Sequence, residues 1–172
     1  MLGLLYCGMG NMRTLTVDRS TATAHRLVEY DGVCSFIHGH NMNWEVKLEV
    51  SMEDVGSDNM PLDFKEVSSL IDEYDHAVVL NTEDPLVEKC DVLPDDDDVM
   101  VAVGEVFTDE TLGDTILYDS DPTCELLAQD VADKLTELEH VIRADVTVYE
   151  TDKYGMSAKS FDSEIDLYTD EE

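Results

Sequence analysis

Three histidines have the spacing of a metal-binding set. His38 and His40 flank Gly39, and in an extended backbone residues two apart project to the same face, so both imidazoles could reach one ion. His25 ends a predicted strand, from which it could face the other two histidines if the strands are antiparallel. Three histidine ligands that leave a fourth position vacant are typical of catalytic zinc. The alternative is that His38 and His40 are solvated loop residues and that His25 is a hydrogen-bonded strand residue.

Other side chains could transfer protons or bind a ligand. Cys34 precedes His38 by four residues on the same predicted loop, where a nearby cation would favour the thiolate; the alternative is a small buried hydrophobe. Asp75 stands next to His76, and a carboxylate beside an imidazole fixes the tautomer for acid–base catalysis. An ordinary helix end with a favourable histidine would give the same pair. Glu150 ends the last predicted strand, where burial of a carboxylate would require a cationic or N–H-rich ligand.

Two predicted strands would position the histidines. Residues 43–51 alternate between apolar and polar side chains, which is typical of a half-buried antiparallel strand. Residues 14–24 are rich in Thr and Val and are expected to pair with it, while residues 29–37 serve as a loop. The face that we expect to be buried carries Trp44, Val46, Leu48 and Val50.

Two helices and a further strand complete the predicted domain. Asp63 can cap a helix, with Glu66 three residues later, and this helix should end near Asp75. A second helix is predicted over about residues 123–138 and a strand over residues 141–150. The order of elements predicts an antiparallel sheet with helices on one face. Its open edges favour oligomerisation through strand pairing.

The segment 82–121 interrupts this pattern and is predicted to be an acidic insertion in a single domain over residues 1–158. It contains two short β-like pieces, at residues 99–103 and 115–118, which could form a hairpin. Residues 159–172 are acidic and are expected to form a mobile tail.

The chain is strongly acidic, with 41 Asp and Glu residues against 10 Lys and Arg residues and a formal net charge of −31. Such a chain repels itself, and at molar salt the Debye length falls to about 3 Å, which largely screens the repulsion. This composition favours a halophilic protein adapted to a salt-rich cytoplasm. The alternative is an acidic surface that binds a basic partner, although the acids are spread along the whole chain.

The composition argues against nucleic acid and membranes as partners. Ten scattered Lys and Arg residues cannot form the clustered basic surface that binds phosphate backbones. No segment approaches the roughly 18 apolar residues of a membrane span, and residues 1–11 lack the features of a signal peptide. The four cysteines form no CxxC pair, which favours thiols in a reducing compartment. The sequence therefore predicts a cytoplasmic protein.

Several short motifs occur in the order found in one enzyme superfamily. They are AHRL at residues 24–27, CxxxHGHN at 34–41, LDF at 62–64, DH at 75–76 with LN at 80–81, PTxE at 122–125 and ET at 150–151. With these motifs the chain resembles the 6-pyruvoyl-tetrahydropterin synthase superfamily over nearly all of residues 25–151.

The resemblance implies an α+β tunnelling fold (T-fold), a four-stranded antiparallel sheet with two helices on one face, whose trimers close a β-barrel and stack as hexamers. It implies that His25, His38 and His40 bind Zn²⁺. It implies that Cys34 transfers protons with Asp75 and His76 as acid–base partners, and that Glu150 anchors the pterin ring. Thr123 and Glu125 would line the same pocket. Arg26, Lys153 and Lys159 are local cations that could meet the triphosphate of the substrate.

The three residues between Cys34 and His38 resemble the 6-carboxy-tetrahydropterin synthases of the 7-deazaguanine route to queuosine and archaeosine. The resemblance thus implies a carbon–carbon lyase that converts 7,8-dihydroneopterin triphosphate to 6-carboxy-5,6,7,8-tetrahydropterin, acetaldehyde and triphosphate. The alternatives are a 6-pyruvoyl-tetrahydropterin synthase, a dihydroneopterin aldolase-like enzyme, and a zinc-binding scaffold of the same fold without activity.

Overall fold

The computed structural model of the chain describes residues 11–88, 101–103, 105–107 and 114–163. The elements are β1 (Met12–His25), a 3₁₀ turn (Val33–Ser35), β2 (His38–Ser51), α1 (Phe64–Asp72), β3 (Val78–Asn81), α2 (Pro85–Glu88), β4 (Val101–Val103), β5 (Glu105–Phe107), β6 (Thr115–Tyr118), α3 (Cys124–Thr136), β7 (Val141–Thr151) and β8 (Tyr154–Phe161). No helix in these ranges has the length and apolar character needed to span a bilayer.

Within the described residues the main sheet has six strands, in the order β6-β3-β1-β2-β7-β8. The strands β1, β2, β7 and β8 are antiparallel neighbours. The strands β3 and β6 extend it beyond β1 in parallel orientation. The α+β class is confirmed, whereas a count of four strands was too low by two.

The hairpin β1–β2 is the longest pairing of the sheet. It runs without a shift from Met12 opposite Ser51 to His25 opposite His38. The predicted pairing of residues 14–24 with residues 43–51 is therefore observed, and both strands are longer than predicted. Because side chains alternate along a strand, burial of Trp44 and its same-face neighbours fixes this register.

Both long helices contribute to one core against the sheet. Asp63 caps α1 by accepting a hydrogen bond from the Lys65 N–H, as the sequence predicted, and α1 ends at Asp72, slightly before the predicted position. The core residues of the two helices pack with Trp44 and the buried side chains of β7; they are Val67 and Ile71 from α1 and Leu127, Val131 and Leu135 from α3.

The segment predicted as an insertion contributes to the main sheet at its end. The strands β4 and β5 form a short antiparallel hairpin, whereas β6 pairs with β3. Residues 89–100, with the acidic run at 94–98, lie outside the described residues. The strand β8 includes residues 159–161, which the sequence had assigned to the mobile tail, because it pairs with β7 as far as Phe161. The tail from residue 164 onward also lies outside the described ranges.

A polar cluster attaches β6 to the helices. The hydroxyls of Tyr74 and Tyr118 donate to Oδ2 of Asp130 at 2.6 and 2.7 Å, and Lys134 Nζ lies 2.9 Å from the same oxygen. Burial raises the pKa of both tyrosines, and their hydrogen bonds to Asp130 raise it further. Burial alone would raise the pKa of Asp130, but hydrogen bonds from Tyr74, Tyr118 and Lys134 lower it. The carboxylate is therefore ionised at neutral pH, and its Oδ2 contacts all three groups.

Asp130→Asn should lower the free energy of unfolding at neutral pH by about 1–3 kcal/mol, because two partly buried hydroxyls lose a charged acceptor. The pKa of Asp130 is lower in the folded state, so its stabilisation is present above the unfolded value of about 3.9 and is lost as the pH falls through the folded value. The stability difference from the wild type should therefore shrink under acid conditions.

Denaturant titrations in about 2 M KCl, from neutral pH down to about pH 3, would measure this difference under screened conditions. Asp133→Asn is the matched control, since it removes an equal charge from an exposed position of α3. Equal stability of wild type and Asp130→Asn, or a difference that widens on acidification, would contradict the prediction.

Candidate metal centre

The structure brings His25, His38 and His40 together at one end of the β1–β2 hairpin. His25 pairs directly with His38, and His40 follows two residues later on the same face of β2. The ring centroids are 4.6 Å apart for His25 and His38, 5.3 Å for His25 and His40, and 5.0 Å for His38 and His40. One ring nitrogen from each side chain lies within 4.8 Å of the other two.

Backbone carbonyls fix the orientation of two of these rings. The Pro122 carbonyl accepts a hydrogen bond from Nδ1 of His25 at 2.8 Å, and the Phe36 carbonyl accepts one from Nδ1 of His38 at 2.8 Å. A carbonyl only accepts, so each Nδ1 carries a proton, and in the neutral form of each ring the lone pair is on Nε2. Such outer contacts are typical of metal-binding histidines.

Nε2 of His25 is buried and has no hydrogen-bond partner among the described residues. Burial lowers the pKa of His25, and the neighbouring His38 and His40 lower it too, while the Pro122 carbonyl and Glu150 act in the opposite direction. His25 is therefore held in the neutral form, which is the form that binds metal ions.

This donor set fits a zinc ion. Nitrogens bound to one tetrahedral zinc, at about 2.0–2.1 Å each, lie about 3.4 Å apart, so the three rings need only small rotations to share it. His25 is buried, whereas His38 and His40 are half-buried. One side of the cluster is therefore open to a fourth ligand, as in catalytic sites.

Glu150 lies at the edge of the histidine cluster. It follows the buried Val148 on the core-facing side of β7, the strand next to β2. Its Oε1 lies 3.9 Å from Nε2 of His25, and 27% of its side chain is exposed. The carboxylate is thus within reach of the same ion or of a ligand bound beside it.

Cys34 lies in the connection 26–37, which joins His25 to His38. It occupies the middle of the 3₁₀ turn Val33–Ser35, and its thiol is free and half-buried. Its carbonyl accepts a hydrogen bond from the Leu27 N–H at 2.9 Å, which draws the two ends of the connection together. The thiol is therefore close in the chain to both strands that carry the histidines and does not belong to the core.

Asp75 and His76 form a dyad of their own beside β1. Oδ1 of Asp75 accepts the Ala22 N–H at 2.8 Å, and its Oδ2 lies 3.1 Å from Nδ1 of His76. The Ala22 N–H is the main cause of a lowered pKa for Asp75, and His76 adds to it. His76 has a φ of 60°, in the left-handed region, and 82% of its side chain is exposed.

The dyad is not brought to the metal centre within one chain. Asp75 and His76 bond to Ala22, three residues before His25 on β1, which corresponds to roughly 10 Å along the strand. Within the described ranges the structure records no contact between this dyad and Cys34 or the three histidines.

Two of the remaining predicted substrate-binding residues, Arg26 and Thr123, have structural partners. Nε of Arg26 lies 3.2 Å from Oδ2 of Asp84, whose side chain is fully buried, and the pair is an ion pair without hydrogen-bond alignment. The charge of Arg26 is therefore already engaged. Thr123 caps α3 by accepting the Leu126 N–H, and Glu125 is an exposed residue of the first turn.

Sequence reasoning missed three residues that support the site. Pro122 orients His25 through its carbonyl, Asp121 binds the chain that follows His25, and Asp84 neutralises Arg26. Pro122 begins the PTxE motif, but that motif does not predict the role of its carbonyl. Nothing in the pattern of a chain with 41 acidic residues distinguishes Asp84 or Asp121 from the others.

A comparison with protein families gives one match over most of the chain. The model described as 6-pyruvoyl tetrahydropterin synthase matches residues 14–160. A protein of Halobacterium salinarum named probable 6-carboxy-5,6,7,8-tetrahydropterin synthase is 33% identical over 93 residues, which are 52% of this chain and 60% of that relative. The chain thus spans less than two thirds of this curated relative.

Solved structures show the same fold. The 6-pyruvoyl tetrahydropterin synthase of Plasmodium vivax has a TM-score of 0.54 and 17% identity, with 88% of this chain and 99% of that chain covered. An uncharacterized protein of Wolinella succinogenes has a TM-score of 0.57 and 20% identity, with 87% and 98% covered. At these identities the likeness concerns the fold alone.

Proposed function

Because the chain belongs to the 6-pyruvoyl tetrahydropterin synthase family, we propose that it is a zinc-dependent 6-carboxytetrahydropterin synthase. The proposed reaction converts 7,8-dihydroneopterin triphosphate and one water molecule to 6-carboxy-5,6,7,8-tetrahydropterin, with release of acetaldehyde and triphosphate. The proposed setting is 7-deazaguanine biosynthesis in a salt-rich cytoplasm, with a trimer-based homohexamer as the assembly.

The observation that carries this proposal is the convergence of three imidazoles with Nε2 of His25 buried and unpartnered among the described residues. His25, His38 and His40 would hold the zinc ion. When bound, zinc supplies Lewis acidity to the side-chain hydroxyls of the substrate. The half-buried faces of His38 and His40 leave room for that side chain.

Glu150 would bind the pterin ring. Its carboxylate has two acceptor oxygens for the ring N–H and the amino group of a pterin, which is a charge-assisted pair of hydrogen bonds. With Oε1 at 3.9 Å from Nε2 of His25, a ring held by Glu150 would have its side chain near the three histidines. Glu150 therefore orients the substrate as well as binding it.

Cys34 and the Asp75–His76 dyad would transfer the protons. Sγ of Cys34 would accept a proton from the substrate side chain and return it. Asp75 would hold the proton on Nδ1 of His76, leaving Nε2 to exchange protons with the substrate. Because the ring of His76 is exposed and has no contact with Cys34 within the described residues, it would act at the site of a neighbouring subunit.

Two observations favour the carboxy product over the 6-pyruvoyl product. Cys34 and His38 are separated by three residues, and the relative from Halobacterium salinarum carries the name of a 6-carboxytetrahydropterin synthase.

The net charge of −31 supports the salt-rich setting, because the repulsion it causes is screened at high ionic strength. The triphosphate would need a cation other than Arg26, which Asp84 engages.

The direct test is incubation of the purified protein with 7,8-dihydroneopterin triphosphate in about 2 M KCl, with zinc content measured in parallel. We expect about one zinc per chain, and acetaldehyde, triphosphate and the 6-carboxy product in equal amounts. A 6-pyruvoyl product without acetaldehyde would indicate a 6-pyruvoyl-tetrahydropterin synthase. Glycolaldehyde as a product would indicate a dihydroneopterin aldolase-like enzyme. Bound zinc without any turnover would indicate a zinc-binding scaffold of the same fold without activity.

A further inference from the structure

The side chain of Asp121 accepts three hydrogen bonds. Its Oδ1 accepts the Val28 N–H at 2.9 Å and Nδ2 of Asn81 at 3.1 Å, and its Oδ2 accepts the Glu29 N–H at 2.9 Å. Burial opposes ionisation of Asp121, but these three donors lower its pKa. The side chain is therefore a charged acceptor that holds two successive backbone amides and one side chain of β3.

A first series of hydrogen bonds connects the Asp121 side chain to the backbone of Cys34. Val28 and Glu29 begin the connection 26–37, and the preceding residue, Leu27, donates its N–H to the carbonyl of Cys34 at 2.9 Å. Holding Val28 and Glu29 in place also holds Leu27, because peptide planes leave few degrees of freedom over one residue. The backbone of Cys34 is thus fixed relative to Asp121 through two layers of hydrogen bonds.

A second series of hydrogen bonds connects the Asp121 backbone to His25, a proposed metal ligand. The Thr123 N–H donates to the Asp121 carbonyl at 2.8 Å and closes a tight turn around Pro122. This turn fixes the Pro122 carbonyl, which accepts the hydrogen bond from Nδ1 of His25 at 2.8 Å. The backbone of Asp121 thus holds the turn that orients His25, while its side chain holds the loop of Cys34.

We infer that Asp121 is a positioning residue that fixes the Cys34 thiol relative to the metal centre. This inference rests on the proposed function for its purpose, although its geometry involves no substrate. Loss of the carboxylate frees the start of the connection 26–37 while the three histidines keep their places on β1 and β2. Zinc should then still bind, but it should have a smaller effect on the reactivity of the Cys34 thiol, and this effect is the coupling between metal and thiol.

The coupling can be measured without substrate as the alkylation rate of Cys34 by iodoacetamide, with and without zinc, followed on its own peptide by mass spectrometry. In the wild type, zinc should raise this rate by about tenfold, because a nearby cation favours the thiolate. In Asp121→Ala the ratio should fall to about twofold or less, with zinc retained. Asp121→Asn should give an intermediate ratio, since one oxygen remains as an acceptor.

Asp130→Asn is the matched control, because it also removes a carboxylate with three donors but lies in the Tyr74–Tyr118 cluster. Its ratio should equal that of the wild type. If Asp121→Ala does not fold, Asp121→Asn carries the test. The inference would be overturned if a folded Asp121 variant had the same ratio of alkylation rates with and without zinc as the wild type. A ratio near one in the wild type would also overturn it.

Turnover adds a second readout that separates this inference from the proposed function. In an active enzyme Asp121→Asn should lower kcat by about 10-fold to 100-fold with little change in KM, because the thiol is displaced and the pterin anchor Glu150 is not. If the wild type has no turnover, the proposed function fails. The inference still stands or falls on the alkylation ratio.

Discussion

Replacing His40 with alanine is expected to abolish zinc binding and to lower turnover by about a thousandfold or more, since Lewis acid catalysis is worth several kcal/mol. His40 is the informative ligand because the contacts that orient the other two rings, from the Pro122 and Phe36 carbonyls, do not involve it. The hairpin should therefore keep its register. Zinc content by mass spectrometry, together with steady-state kinetics in high salt, would check both effects.

His140→Asn is the control for this experiment. His140 lies outside the cluster, and its φ of 68° is a conformation that Asn adopts readily. We expect its zinc content and turnover to equal those of the wild type. Retention of one zinc per chain by His40→Ala would contradict the assignment of this residue as a ligand.

Cys34→Ala should keep the zinc and lose most of the activity. Removal of a general acid–base group typically lowers kcat by about 100-fold to 10,000-fold, whereas the three imidazoles are unchanged by the substitution. Zinc content therefore distinguishes loss of the thiol from loss of the metal site. Wild-type turnover in Cys34→Ala would leave the thiol without a catalytic role.

Cys124→Ser is the matched control for Cys34→Ala, because Cys124 is also a free thiol. It is buried, it donates from Sγ to the Val148 carbonyl at 3.2 Å, and burial raises its pKa to about 11, with Glu150 adding to the effect. This thiol is protonated at neutral pH and cannot act as a base there. Cys124→Ser keeps the hydrogen-bond donor, so its turnover should stay close to that of the wild type.

The elements that the sequence predicted well are those whose burial is one-sided. Alternation along residues 43–51 predicts both the strand and the face that Trp44 occupies, because one-sided burial leaves a period of two in the sequence. Asp63 marks the start of α1 through its residue type, since an Asp side chain at this position accepts a hydrogen bond from one of the first free amide groups of a helix. The three histidines follow from the same alternation, continued to the end of the hairpin.

The strands that the sequence did not predict have no such pattern. In β3 all four residues, Val78–Asn81, are buried, so polar and apolar residues do not alternate. In β8 most residues are exposed, and Gly155 lies close to the ring of Tyr149, so the segment resembles a loop in composition. Tertiary pairing with β1 and β7 decides the conformation of both strands, and local propensity does not.

Contacts around the metal centre were predictable only in part. The spacing of His38 and His40 places them on one face, but the Pro122 carbonyl reaches His25 across 97 residues of sequence. The pairing of Arg26 with Asp84 likewise depends on the position of β3 beside β1. Backbone acceptors and buried ion pairs of this kind leave no mark in residue type or periodicity. The trimer that the sequence predicts stays a prediction.

The most direct test of the metal centre is X-ray absorption at the zinc edge of the purified protein. We predict a first shell of nitrogen and oxygen at about 2.0–2.1 Å that contains three imidazole ligands and no sulfur near 2.3 Å. The His40→Ala protein should show no such shell. A sulfur ligand in the wild type, or fewer than three imidazoles, would contradict a centre built from His25, His38 and His40.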